Sequence, residues 1–224
     1  IRGIYNFPFL ILVKIGNLYS KCIKIFDKRN YDTFWEELLQ KNIDKKISKK
    51  IIIPKGKKEI RFYVPTKISA YRVKTFFTKE PGTLEWMNSR GGNTKVLYDI
   101  GANMGIYTIY YAKMFESKVY AFEPSYRNLD LLAKNVNLNS LNENVSVISN
   151  PISKKFILSN FFQLRSVAGD AGATFDDNQI EKEILEKDKY FHPGVKNNTA
   201  QYNTLGLSID SLRQINLIKP PDLI

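Results

Sequence analysis

Val96-Leu97-Tyr98-Asp99-Ile100-Gly101-Ala102-Asn103-Met104-Gly105 is an apolar run that ends in an acid and turns at once through a Gly-x-Asn-x-Gly loop. The pattern reads as the first strand of a nucleotide-binding α/β sheet entering a ligand-side turn. A second apolar run, Lys118-Val119-Tyr120-Ala121-Phe122, closes on Glu123-Pro124 and sets a carboxylate at the tip of the next parallel strand. Two acids at neighbouring strand ends, with a glycine turn between them, suit a ligand that carries both an amino group and a ribose diol.

Outward from this unit, the apolar spacing predicts helices from about Met104 to Phe115 and from Tyr126 to Asn139, then a third strand over Val145–Ile148. Strands alternating with helices of this length predict an α/β fold, a doubly wound Rossmann-like sheet with ligand at the carboxyl ends of its strands. Residues 153–207 break the rhythm. Phe156–Phe162 reads as a strand, Ser166–Phe175 as a small-residue loop, Gln179–Lys189 as a helix and Leu205–Ile209 as a further strand. Asp210 reads as the N-cap of a helix over Ser211–Ile218, and Asp222-Leu223-Ile224 as the opening of strand four. The chain starts on Ile1 and ends inside an apolar run, so the expectation is a sheet truncated after the start of strand four.

Upstream, Ile51–Pro54 and Glu59–Val64 flank Lys55-Gly56-Lys57-Lys58 and predict a hairpin, while residues 9–27 and 32–47 predict two amphipathic helices. Ile68–Phe77 is mixed. Pro81 opens a short helix that stops at Gly91-Gly92 and places Glu80 and Thr83 near the strand tips. Domain organisation follows as a basic appendage over residues 1–64 and a ligand-binding domain over 65–224. Net charge is +12, and residues 1–60 hold 14 Lys/Arg against six Asp/Glu. That excess suits anionic lipid, acidic glycan or nucleic acid, with a solvated helix face as the plainer reading. The single cysteine, Cys22, excludes an internal disulfide and fits a cytoplasmic chain with membrane association through its basic part. His192 is the only histidine, so no metal site and no Ser-His-Asp triad is readable.

At the site, Asp99 can hold an ammonium beside free turn N–H groups, and Gly101, Ala102 and Gly105 allow close backbone approach. Asn103 tolerates a left-handed conformation. The helix dipole favours a ligand carboxylate, Glu123 can accept two ribose hydroxyls, and Asn150 at the tip of strand three can reach a base edge. The glycine spacing departs from the Gly-x-Gly-x-x-Gly of nicotinamide and flavin enzymes and favours S-adenosyl-L-methionine; the absence of Gly-Lys-[Ser/Thr] after the loop excludes a P-loop.

Asp99 to Gly105 with Tyr107-Thr108, Val119 to Ser125 with Asn128-Leu129, and Lys134-Asn135-Val136-x-Leu138-Asn139 together resemble the FkbM-type methyltransferases. Arg72 with Thr75-Phe76-Phe77-Thr78-Lys79-Glu80-Pro81-x-Thr83-x-x-Trp86 is similar to that family's lead-in, and Ser208 to Leu212 with Pro221 to Ile224 to its downstream segment. The resemblance covers residues 65–224. It implies S-adenosylmethionine-dependent O-methylation of a sugar hydroxyl in a glycan or glycolipid, by a chain that is inactive without the acidic motif that follows in the family. Asp170 and Asp210 are the acids in reach for a base, with a turn and an N-cap as their plainer roles. Two other readings stand beside it: a dehydrogenase-like nucleoside-cofactor enzyme, and a basic polyanion- or membrane-binding protein with a vestigial sheet. Against nucleic acid as acceptor, no Asn-Pro-Pro-Tyr-type or Pro-Cys tract is present.

Overall fold

The structure is a computed structural model that describes residues 14, 48–52, 58–92, 95–176, 178–191 and 199–224. The two expected N-terminal helices, Cys22, most of the hairpin turn and His192 lie outside the described residues. Contact clustering separates Ile1–Ile47 from Ser48–Ile224. The second unit carries the predicted sheet.

Its centre is three parallel strands in the order β3 (Val96–Ile100), β4 (Lys118–Phe122) and β5 (Val145–Ile148). Leu223 bridges to Leu97 in parallel on the free side of β3, so the expected opening of strand four lies where a continuing sheet places it. The Asp222 carboxylate also accepts from the N–H groups of Lys95 and Val96, fixing the start of β3. Alternation along the strands splits the core in two. Leu97, Val119, Ala121 and Val145 face α3 (Ile106–Phe115) and α4 (Tyr126–Leu138), whereas Val96, Tyr98, Tyr120 and Phe122 face Leu212 of α6 (Ile209–Gln214) and Ile218. With apolar cover on both faces, the strands read as near-continuous hydrophobic runs. Side chains such as Ile109 and Leu132, fully enclosed, each contribute roughly 1.5–3 kcal/mol of burial.

The hairpin of β1 (Ser48–Ile52) and β2 (Glu59–Tyr63) is antiparallel as expected, but it belongs to the compact unit that begins at Ser48. Ile51, Ile60 and Phe62 enter the same core as α3 and α4. The outer edge of β2 is met by side chains. Asn135 Oδ1 accepts from Tyr63 N at 2.8 Å, and Asn139 accepts from Arg61 N at 2.9 Å while donating to Arg61 O at 2.7 Å. Two asparagines one helical turn apart thus supply the peptide-like groups of a missing neighbouring strand.

Residues 67–74, mixed in sequence, form α1 (Lys67–Lys74). Its start is set by a capping box in which Thr66 and Ser69 bond reciprocally, with serine in the place usually held by Glu or Gln. Helix α2 (Pro81–Arg90) begins on Pro81 and stops at Gly91, as expected. After β5 the chain forms a separate antiparallel sheet, ordered β7 (Ala173–Phe175), β6 (Ile157–Gln163), β8 (Ala200–Gly206), with α5 (Asn178–Phe191) between β7 and β8. Two expectations shift here. The last strand is Ala200–Gly206 rather than Leu205–Ile209, because pairing runs from Gln163↔Ala200 to Ile157↔Gly206. The N-cap of α6 is Ser208, whose hydroxyl accepts from Ser211 N at 3.0 Å; Asp210 sits exposed in the first turn instead. The small-residue loop also ends in a strand, β7.

Candidate functional site

The loop between β3 and α3 is wound left-handed at three points, Gly101 (φ 78°), Asn103 (φ 53°) and Gly105 (φ 84°). Asn103 occupies the conformation that its residue type tolerates best after glycine. A Cβ at Gly105 would lie 2.5 Å from a Leu132 methyl, which would have to shift, and φ 84° strains any side chain there.

The turn's amides are not free, contrary to the sequence expectation. Gly101 and Ala102 donate to Phe122 O at 2.8 and 3.0 Å, Asn103 to Glu123 Oε2 at 2.7 Å, Met104 to Asn103 Oδ1 at 2.9 Å and Gly105 to Ala102 O at 2.9 Å. A buried loop must satisfy its own N–H groups, and this one does so against the tip of β4. Glu123, 5 % exposed, accepts from Ser125 N at 2.9 Å as well. It is therefore both a loop anchor and a wall of the site.

Two cavities meet at this loop and share Gly101 and Asn103. The first, about 210 Å³, is lined by Asp99, Ala102, Glu80, Arg72 and Tyr107 among others. The second, about 250 Å³, is lined by Glu123, Pro124, Ile152, Phe161, Asp170 and Phe175 among others. Each holds one of the two predicted acids. Burial pushes the Asp99 carboxyl up from its ordinary value, opposed by hydrogen bonds from the Thr108 hydroxyl and N–H. Burial also raises Glu123, opposed by the Ser125 and Asn103 amides, while the Asp99 charge adds to the rise.

Glu80 lines the first cavity, accepts from Tyr107 Oη at 2.9 Å and lies 3.6 Å from Lys79 Nζ. Burial and the Glu80 carboxylate hold the Tyr107 phenol above its ordinary pKa, so it stays a donor. Thr83 lies in the first turn of α2, its N–H bonded to Glu80 O, and lines neither cavity. Asn150 donates from Nδ2 to Leu205 O at 2.9 Å, which ties β5 to the antiparallel sheet; it too lines neither cavity. Asp170 is buried in the wall of the second cavity, 3.7 Å from Arg165, and Asp210 lines neither.

Sequence reasoning missed what closes the site. The segment 165–172 is strapped across it by side chains from three elements. Asn103 and Asn128 both donate to Asp170 O, at 2.8 and 3.0 Å, and Asn128 Oδ1 accepts from Gly169 N at 2.7 Å. From α1, Thr66 donates to Ala168 O at 2.7 Å and Arg72 to Gly169 O at 2.6 Å. The buried position of Asn128 on the apolar face of α4 was the available signal, since a buried carboxamide demands partners.

No family model matches the chain, and no curated protein matches it, so the FkbM likeness rests on its motifs alone. Among solved structures the chain is similar to M. jannaschii TYW2 in complex with AdoMet, at 24% identity over 44% of this chain and 42% of that one, with a TM-score of 0.30. It is also similar to the N-terminal domain of human METTL16 in complex with SAH, at 17% identity over 55% and 58%, with a TM-score of 0.31. The chain spans about half the length of these structures. Overlap of this extent carries no argument, and the α/β class rests on the chain's own parallel sheet.

Proposed function

We propose that this chain forms the S-adenosylmethionine-binding part of a methyltransferase that acts on a sugar hydroxyl of a glycan or glycolipid. One observation carries the methyl-donor reading: two cavities joined at Gly101 and Asn103, with Asp99 in one and Glu123 in the other. The residues fit a ligand with an amino acid at one end and a nucleoside at the other. Asp99 would take the ammonium, and Glu123, whose carboxylate has more acceptor sites than the bonds from Asn103, Ser125 and Asn128 use, the ribose diol. Pro124, Ile152, Phe161 and Phe175 offer apolar surface to the base. When bound, the cofactor supplies an electrophilic methyl group. The chain's contribution is to orient it by the two acids and to keep the loop rigid, and such positioning supplies roughly 7–11 kcal/mol of a transfer barrier. The acceptor class comes from the motif resemblance, as does the expectation that residues beyond this chain complete the activity. Of the two acids in view as base, Asp170 is on the nucleoside side of the loop and Asp210 is outside both cavities.

Calorimetric titration with S-adenosylhomocysteine tests this reading, with NADH as the control ligand. Binding of the former alone, weakened about 10- to 100-fold in Asp99→Ala and in Glu123→Ala, is expected from loss of charge-assisted hydrogen bonds. Absence of binding, or affinity unchanged in both variants, sinks the assignment.

A further inference from the structure

The first cavity contains a cation that forms no ion pair among the described residues. Arg72 is half-buried on α1 and lines the cavity with Asp99, Glu80 and Tyr107. Its Nε donates to Gly169 O at 2.6 Å, which fixes the plane of the guanidinium. Among the described residues no carboxylate lies within ion-pair distance of it. The two acids of the cavity are engaged elsewhere. Glu80 is held by Tyr107 and Lys79, and Asp99 by Thr108. A guanidinium cannot shed its charge and presents forked N–H donors that match a carboxylate two at a time. Half-buried, and with its outer nitrogens in no ion pair among the described residues, it stands ready for an anion.

The turn cannot serve that anion in its place. All five amides from Gly101 to Gly105 already donate within the chain. A carboxylate entering beside Asp99 would find the turn's N–H groups spent and Arg72 in the lining of the same cavity.

We infer that Arg72 binds the carboxylate of the ligand's amino-acid end, so that Arg72 and Asp99 together recognise an α-amino acid by its two opposite charges. This rests on the methyl-donor reading above and deepens it. It also gives α1 a role in the site, since the arginine that reaches the cavity is the one that clamps Gly169.

The test is calorimetry on the full chain with three ligands: S-adenosylhomocysteine, its decarboxylated analogue, and 5′-deoxy-5′-methylthioadenosine, which lacks the amino acid. Wild type should bind the decarboxylated analogue about 10- to 100-fold more weakly than S-adenosylhomocysteine, a comparison that needs no variant to fold. Arg72→Gln should lose a similar factor for S-adenosylhomocysteine, bind methylthioadenosine within twofold of wild type, and no longer distinguish the decarboxylated analogue. Arg72→Lys should recover part of the loss. Equal weakening of all three ligands in Arg72→Gln would mean that Arg72 only braces Gly169, and overturns the proposal. So does a wild type indifferent to the carboxylate. A wild type that binds none of the three overturns the methyl-donor reading itself, and this inference with it.

Discussion

The two acids that carry the site differ in what they touch but share one pH behaviour, set by burial. Asp99 is held by Thr108 alone among side chains, whereas Glu123 is fixed by two backbone amides. Both carboxyls are raised by burial. A carboxyl with a raised folded pKa binds protons more tightly in the native state than in the unfolded one. Its contribution to stability is therefore present below the unfolded value, about 4, and is lost as pH rises through the folded value. An ammonium ligand needs Asp99 charged, so its affinity runs the other way. Between about pH 4 and neutrality, the ligand-free protein should lose stability with rising pH while S-adenosylhomocysteine binds more tightly. In Asp99→Asn both slopes should flatten, with affinity at neutral pH lowered about 10- to 100-fold. Thermal unfolding and calorimetry across pH measure the two, and parallel rather than opposed slopes would contradict the assignment.

Elements that face the site are joined by carboxamides more than by charge. Asn128 on α4 makes two buried bonds to the 169–170 backbone, so Asn128→Ala leaves the Gly169 N–H without its acceptor and the Asp170 carbonyl with Asn103 as its remaining side-chain donor. The expected cost is roughly 2–4 kcal/mol by urea unfolding, with faster amide exchange at Gly169 than in wild type. Unchanged exchange would show that α1 and Asn103 hold the strap without it. Strands β3 and β4 were legible because they are buried on both faces and read as unbroken apolar runs. Strand β8 was not, since its outward residues are Gln201, Asn203 and Leu205 and the flanking Asn197-Asn198 reads as a turn. Helix α1 was hidden for a different reason: it buries only Ser69 and Val73, too little for a periodic signal. Asp99, Gly101, Ala102, Asn103, Glu80 and Glu123 could be placed beside a cavity from their position at strand ends and a helix start. Asn150 could not, because its partner Leu205 lies 55 residues away in a sheet whose docking no local pattern encodes.

At the scale of the molecule, the unit from Ser48 to Ile224 closes a core on each face of its sheet. A protein shortened to residues 48–224 should unfold cooperatively and bind S-adenosylhomocysteine within about threefold of the full chain, whereas a second cut at Val64 should abolish folding by removing Ile51, Ile60 and Phe62 from the core. Circular dichroism with calorimetry decides between these outcomes; a 65–224 protein that folds would contradict the second. No helix among the described residues is long and apolar enough to cross a membrane. The basic stretch before the unit remains the surface proposed for anionic headgroups, with binding that should weaken steeply with salt. The asparagine pair on α4 bears on the life of this protein in crowded solution. A hairpin edge with open peptide groups is a template on which other chains can grow fibrils. By occupying Arg61 and Tyr63, Asn135 and Asn139 turn the β2 edge of that template into a closed seam, guarded by two uncharged side chains rather than by charge.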